Sequence, residues 1–260
     1  MNTLGDMIWI ELRKALRSRL PLFIGFGFLF IPLATGFVAF IFKNPELARG
    51  MGLISTKANL VGSVTTWPDY LSVVAQAVAL GGFILLSLIL SWIFGREFAD
   101  GTLKDLMAVP VPRLSILAAK FLTAALWFSA MIALVVVLCL LAGALVGFPP
   151  VPARVFAQWG LVLVLTTLLN LCAGLPVAFF ASAGRGYLLP MGMAILLLLL
   201  GNVAAIAGWG DVFPWSIPAL AAGMVKEQTL GPLSYLVSVA AALAALVLTG
   251  LWWLYADQDR

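Results

Sequence analysis

Apolar residues in this sequence fill long unbroken runs, at about 21–42, 71–94, 117–147, 156–183, 187–209 and 233–255. Each run has ~20 residues or more, the length an α-helix needs to cross ~30 Å of hydrocarbon. A membrane β-barrel would instead alternate apolar and polar positions over segments of ~10 residues. The pattern therefore predicts an all-α polytopic membrane protein, a single transmembrane domain over 1–260 with six spans. No ionised or histidine side chain is expected at membrane depth, Lys120 being counted with the residues outside the bilayer.

Four stretches break the rule of long apolar runs. Residues 3–19 put Leu4, Ile8, Leu12, Ala15 and Leu16 on one helical face and Asp6, Arg13, Lys14 and Arg17 elsewhere, the pattern of a helix lying in the headgroup plane. Asp6, Glu11 and four bases precede the first run, so a cleaved signal peptide is not expected. Residues 43–70 form a long mixed-charge loop ending in Thr66-Trp67-Pro68-Asp69-Tyr70, whose aromatics suit a membrane interface. Residues 213–225, FPWSIPALAAGMV, are too short to cross and too apolar for a free loop, which suits a re-entrant or interfacial helix.

The fourth stretch is GREFADGTLKDLMAVPVPR, residues 95–113. Gly101 suits a sharp turn, Thr102 and Asp105 have the spacing of a capping box, and Pro110 and Pro112 end the helix. Leu103, Leu106 and Met107 share one face while Lys104 and Asp105 point away. So short a helix does not persist alone in water and needs a surface, either its own bundle or a soluble partner.

Composition agrees: 63% of the 260 residues are apolar and 10% charged, against ~25% charged in soluble domains. The net charge of +4 reads as topology and contact with anionic membrane lipids, not as a nucleic-acid footprint. With the N-terminus inside, ten bases (Arg13, Lys14, Arg17, Arg19, Arg96, Lys104, Arg113, Lys120, Arg185, Arg260) face the cytoplasm and five (Lys43, Arg49, Lys57, Arg154, Lys226) face out. Both termini are thus expected on the cytoplasmic side of the membrane.

Candidate chemistry is mostly excluded. There is no histidine, and Cys139 and Cys172 lie inside spans, so triads, His-Cys zinc sites and disulfides are not expected. None of the six lysines follows a glycine, so the chain lacks a Gly-Lys phosphate cradle and is expected to be neither an ATPase nor a cofactor binder. The polar residues inside spans are Gln76, Ser87, Ser91, Thr166, Thr167, Asn170 and Asn202, read first as interhelical glue, with Gln76, Ser87, Asn170 and Asn202 as candidates for lining a substrate path. Gly81, Gly82, Gly143 and Gly147 suit close helix approach, the last two in a small-xxx-small motif.

The run GREFADGTLKDLMAVPVPRLSILAAK, with an acid near the end of span two, then Gly-Thr, a short apolar helix, Pro, Arg and a Lys entering span three, resembles the ABC-2 type permeases of ATP-driven exporters. The six spans and hydrophilic first outer loop are most similar to the bacitracin and lantibiotic self-protection branch. The resemblance implies an N-terminal elbow helix and a coupling helix held in a cleft of a separate ABC ATPase, which binds ATP and Mg. It marks Glu97, Gly101, Thr102, Leu103, Leu106, Met107 and Arg113 as coupling residues. It further implies a second permease copy or a similar permease, and a hydrophobic or amphipathic substrate such as a peptide antibiotic, drug or lipid-linked molecule. The alternative is a membrane scaffold that binds a cytoplasmic partner through the same helix.

Overall fold

A computed structural model describes residues 3–44, 46, 50, 64–225 and 228–255, the side chains of Thr3, Leu20, Lys104 and Met107 excepted. Most of the expected 43–70 loop lies outside these residues, as do Arg49, Lys57, Lys226 and Arg260. The helices are α1 (Thr3–Arg17), α2 (Leu20–Lys43), α3 (Trp67–Ala99), α4 (Leu103–Ala108), α5 (Arg113–Val146), α6 (Ala153–Ala183), α7 (Leu188–Ile206), α8 (Ile217–Ala221) and α9 (Pro232–Tyr255). A 3₁₀ turn, Gly210–Val212, precedes α8. Among the described residues there is no strand, and α2, α3, α5, α6, α7 and α9 are long and apolar enough to cross a membrane, as the six runs predict.

The helix ends follow from residue chemistry. Thr66 is extended (φ −126°, ψ 161°), and the Asp69 carboxylate accepts from its backbone N–H at 3.2 Å and its hydroxyl at 2.6 Å, fixing the start of α3. The capping box expected at Thr102 and Asp105 does not form: Thr102 makes no side-chain cap bond. Its backbone (φ −88°, ψ 1°) lacks the extended conformation that aims a cap hydroxyl at the helix. The turn expected at Gly101 is present, with φ +69°. At the other end of α5, Gly147 takes φ +72° and the Lys43 ammonium donates to the carbonyls of Val146 and Gly147, groups that a helix C-terminus leaves unpaired.

Packing centres on α3. It lies against α6 and α2 and also meets α5, α7 and α8, while α6 carries α9 and scarcely touches α5, its neighbour in the chain. In the α3–α5–α6 region Trp67 packs edge-on against Tyr70, Phe148 and Phe156, at centroid distances of 6.1, 5.6 and 5.1 Å. A Cβ at Gly143 would stand 2.6 Å from that Trp67 ring. The glycine pair read as a small-xxx-small contact therefore serves two other ends: Gly143 admits an aromatic ring and Gly147 terminates a helix. In the 213–225 segment the Trp215 indole donates to the Ala173 carbonyl at 3.0 Å, next to the gap that Pro176 leaves in the α6 ladder.

The helix expected at 3–19 forms as α1, but its buried face differs from the pattern, and one expectation about the spans fails. The buried stripe of α1 is Met7, Glu11 and Ala15, while Leu16 is 78% and Trp9 63% exposed. The helix thus packs on α5 through a face carrying an acid, and the predicted Leu4–Leu16 face is split between protein and surroundings. The spans are not free of charge either. Lys120 lies inside the third span and is fully buried, because carboxylates from two other elements surround it.

Close backbone approach fixes the turn between α6 and α7. A Cβ at Gly95 would lie 2.8 Å from the Gly186 carbonyl oxygen, a backbone atom that a rotamer change cannot remove. Gly95→Ala is expected to displace this turn and destabilise the purified protein by ~1–3 kcal/mol, read as a lowered melting temperature in detergent.

Candidate functional site: a buried charge cluster beside the 100–112 loop

Three elements that are distant in sequence bring four charges together. Glu11 and Lys14 come from α1, one turn apart; Glu97 comes from the last turns of α3; Lys120 comes from the third turn of α5. The Lys120 ammonium has three donors and three acceptors: Glu97 Oε1 at 2.9 Å, Glu11 Oε2 at 3.4 Å and the Ile93 carbonyl at 2.8 Å. Lys14 binds the same two acids, Glu11 at 2.8 Å and Glu97 at 3.2 Å. Exposure is 0% for Lys120, 3% for Glu97 and 4% for Glu11. An isolated charge so placed would be too costly to keep ionised; two acids against two bases cancel.

One atom of the cluster is left over. Glu97 Oε2 is buried without a hydrogen-bond partner, so Glu97 Oε1 bears both lysines alone. At the rim, burial acts to lower the Lys14 pKa, but the Glu11 and Glu97 carboxylates outweigh it and hold it above the ordinary 10.5. By linkage, a raised base stabilises the fold fully below its ordinary pKa, and that contribution is lost only as pH rises through the folded value. Lys14 therefore holds α1 to α3 across the neutral range.

The cluster adjoins a second anchor. Arg113, at the start of α5, donates to the carbonyls of Trp253 and Leu254 at 3.1 and 3.3 Å, the unpaired end of α9. The Trp253 indole donates to Ser182 on α6 at 3.0 Å, and its ring meets Phe94 and Phe98 of α3 edge-on at 6.5 and 6.4 Å. Arg96 lies over the Trp92 ring at 5.1 Å and 3.6 Å from Asp100. The 100–112 loop is thereby hung between two rigid ends.

Within that loop α4 has two faces. Leu103 is buried and Leu106 half-buried, both toward the bundle, whereas Thr102, Asp105, Ala108 and Val109 are exposed. Of the two surfaces the sequence leaves open for this apolar face, its own bundle or a partner, Leu103 and Leu106 rest on the bundle. Of the sequence candidates, Gly101 and Thr102 are exposed in the loop, Glu97 is drawn into the charge cluster, Arg113 caps α9, and the Met107 side chain lies outside the described residues.

The path candidates are not brought together. Ser87 is buried and donates to the Phe83 carbonyl of its own helix at 2.7 Å; Asn170 is buried and bridges to the Val78 carbonyl at 3.0 Å, as interhelical glue would. Gln76 reaches Ser72 and the Gly223 carbonyl at 3.3 and 3.4 Å. Asn202 lines a cavity of about 150 Å³ between α7 and the α8 segment. Sequence reasoning missed Glu11, Lys14 and Lys120; the available signal was a lysine inside the stated bounds of a span, which asks for a buried acid.

The family model described as ABC-2 family transporter protein matches residues 7–201, which takes in the charge cluster and the 100–112 loop. The bacitracin transport permease protein of Bacillus licheniformis is 26% identical over 139 residues, covering 54% of this chain and 67% of that protein.

Proposed function

The chain belongs to the ABC-2 family of transporter proteins, and from that premise we propose that it is the permease subunit of an ATP-driven exporter. It carries a hydrophobic or amphipathic compound, of which a peptide antibiotic is the type suggested by the bacitracin permease it resembles. Both termini and the 100–112 loop lie on the cytoplasmic side. A separate ABC ATPase with its ATP and Mg docks on the exposed face of α4, and two permeases complete the working unit.

The observation that carries this reading is the construction of the loop. Its inner face is tied to the bundle through Leu103 and Leu106, and its outer face offers Ala108, Val109 and Asp105 to a partner. On one side it follows Glu97 of the charge cluster, and on the other it precedes Arg113 on α9. A push on α4 would thus be passed to α1, α3, α5 and α9 at once.

The test is a substitution on the outer face. Val109→Asp would force an interface to bury an unpaired carboxylate, weakening ATPase docking ~100-fold or more, while the exposed position leaves the melting temperature unchanged. Leu106→Asp is expected to lower stability as well, because it disturbs the chain's own packing. The readout is the ATPase recovered with the tagged permease from native membranes, with substrate-stimulated hydrolysis. Full recovery and stimulation with Val109→Asp would sink the docking role; recovery of an ATPase that no compound stimulates would favour a scaffold.

A further inference from the structure

Among the described residues the guanidinium groups of Arg13, Arg17 and Arg19 are exposed and make no hydrogen bond or ion pair, while Glu11 of the same stretch lies buried against two lysines. We propose that these three arginines bind the phosphodiester of an anionic glycerophospholipid, in the leaflet at the amino-terminal end of α2. The site needs no ATPase.

Charge and apolar surface are sorted around α1. At ~100° per residue, Met7, Glu11 and Ala15 form the stripe against the bundle, Leu12, Leu16 and Trp9 follow ~100–160° round in one sense, and Arg17 and Arg13 ~120–160° round in the other. The acids nearest the arginines are already engaged, since Glu11 and Glu97 both serve Lys14 and Lys120. Asp6 is exposed on the arginine side, but it stands seven residues, ~10 Å, from Arg13. That flank keeps an excess of positive charge. Leu16 and Trp9 are 78% and 63% exposed, so the helix presents an apolar flank beside a basic one, the form of a helix set between acyl chains and headgroups.

Chain connection fixes the depth. Only Ser18 and Arg19 separate α1 from α2, and Arg19 is the residue that precedes the first turn of the span. With 24 residues α2 is ~36 Å long, so centred on a ~30 Å hydrocarbon core it projects by ~3 Å at each end. Arg19 therefore stands at the hydrocarbon boundary and Arg17 just outside it, within the ~5–7 Å headgroup layer. The arginines are held where phosphates lie.

Arg13 and Arg17 are one turn apart, with Cβ atoms ~5–6 Å from each other, so both can offer the planar fork of a guanidinium to the same phosphodiester. The lipid's net charge then sets the preference: phosphatidylcholine brings a cation of its own toward the arginines, and an anionic lipid does not. A soluble phosphate meets the same forks but gains nothing from Trp9 and Leu16. An acidic protein surface would have to enter the headgroup layer to reach Arg19.

Native mass spectrometry of the purified full chain reads the affinity of the first lipid bound, with phosphatidylglycerol and phosphatidylcholine of identical acyl chains as the probes. The wild type should bind phosphatidylglycerol about tenfold more tightly than phosphatidylcholine, and excess inorganic phosphate should leave it bound. Arg13→Gln with Arg17→Gln should reduce that preference to about twofold. The melting temperature without lipid should stay unchanged, because neither guanidinium has a partner within the described residues. Lys14 and Arg19 remain to orient the first span. As a matched pair, Arg17→Gln alone should lower the preference, and Arg154→Gln, which removes an equally exposed base at the other membrane face, should not.

No preference in the wild type, a preference kept by the double variant, or one lost equally with Arg154→Gln would overturn the site. Displacement of phosphatidylglycerol by inorganic phosphate would overturn the lipid in favour of a soluble anion. An ATPase that co-purifies with the wild type but not with the double variant, while the lipid preference is intact, would assign the arginines to a protein partner instead.

Discussion

Lys120→Met should lower the stability of this permease by ~3–5 kcal/mol, more than any other single change in the charge cluster. The substitution keeps an apolar stem of similar length but removes the ammonium that serves Glu97, Glu11 and the Ile93 carbonyl. Two buried acids then share Lys14 alone, at the rim. For a protein of this size the melting temperature in detergent should fall by roughly 10 °C. The second half of the test is the double variant: Glu97→Gln with Lys120→Met removes both charges, and replacing a buried pair by uncharged groups is often close to neutral. Recovery of most of the lost stability would assign the penalty to an unpaired charge. A Lys120→Met protein that melts with the wild type would mean that the cluster does not hold the three elements together.

The next largest effect is expected for Trp253→Ala. Its side chain is fully buried and ties α9 to two other helices, α3 through Phe94 and Phe98 and α6 through Ser182, while its backbone carbonyl receives Arg113 of α5. Inside a membrane protein such a loss is chiefly one of packing, because lipid competes for exposed apolar surface. The cavity left inside the protein still costs ~3–5 kcal/mol. Trp253→Phe keeps most of the ring contacts and loses only the donor to Ser182, so it should cost about 1 kcal/mol. Thermal unfolding of the two variants, measured side by side, separates the ring from its hydrogen bond; equal losses would show that the hydrogen bond dominates.

The spans were legible because a membrane asks one coarse question, apolar length, and the answer is written locally. Loop position and the Gly101 turn were legible for the same reason: each depends on a few adjacent residues. The charge cluster was not, because Lys120 meets Glu11 across 109 residues and Lys14 meets Glu97 across 83. Lys120 was grouped with residues outside the bilayer, although a burial cost at its place in the span pointed to partners. The Thr102 cap failed for a subtler reason. The left-handed Gly101 delivers the chain with Thr102 already near-helical, whereas Thr66 enters α3 extended and its cap with Asp69 forms. A capping sequence is thus readable only with the backbone that precedes it. Leu103 and Leu106 were correctly placed on one face, but sequence does not say whether that face meets a partner or the same chain.

The distance between Glu11 and Lys120 also sets an order of manufacture. At ~5–20 residues per second, the ribosome needs about 5–20 s to make the 109 residues between them. Throughout that interval Glu11 has only Lys14 of its own helix beside it and α1 lacks the span it packs on, so it cannot dock while the first two spans insert. Docking of the amino-terminal helix is then among the late steps of biogenesis, when span three delivers Lys120. An amino-terminal fusion that hinders α1 should therefore leave insertion intact and fail afterwards, giving full-length chains in the bilayer that quality-control proteases remove.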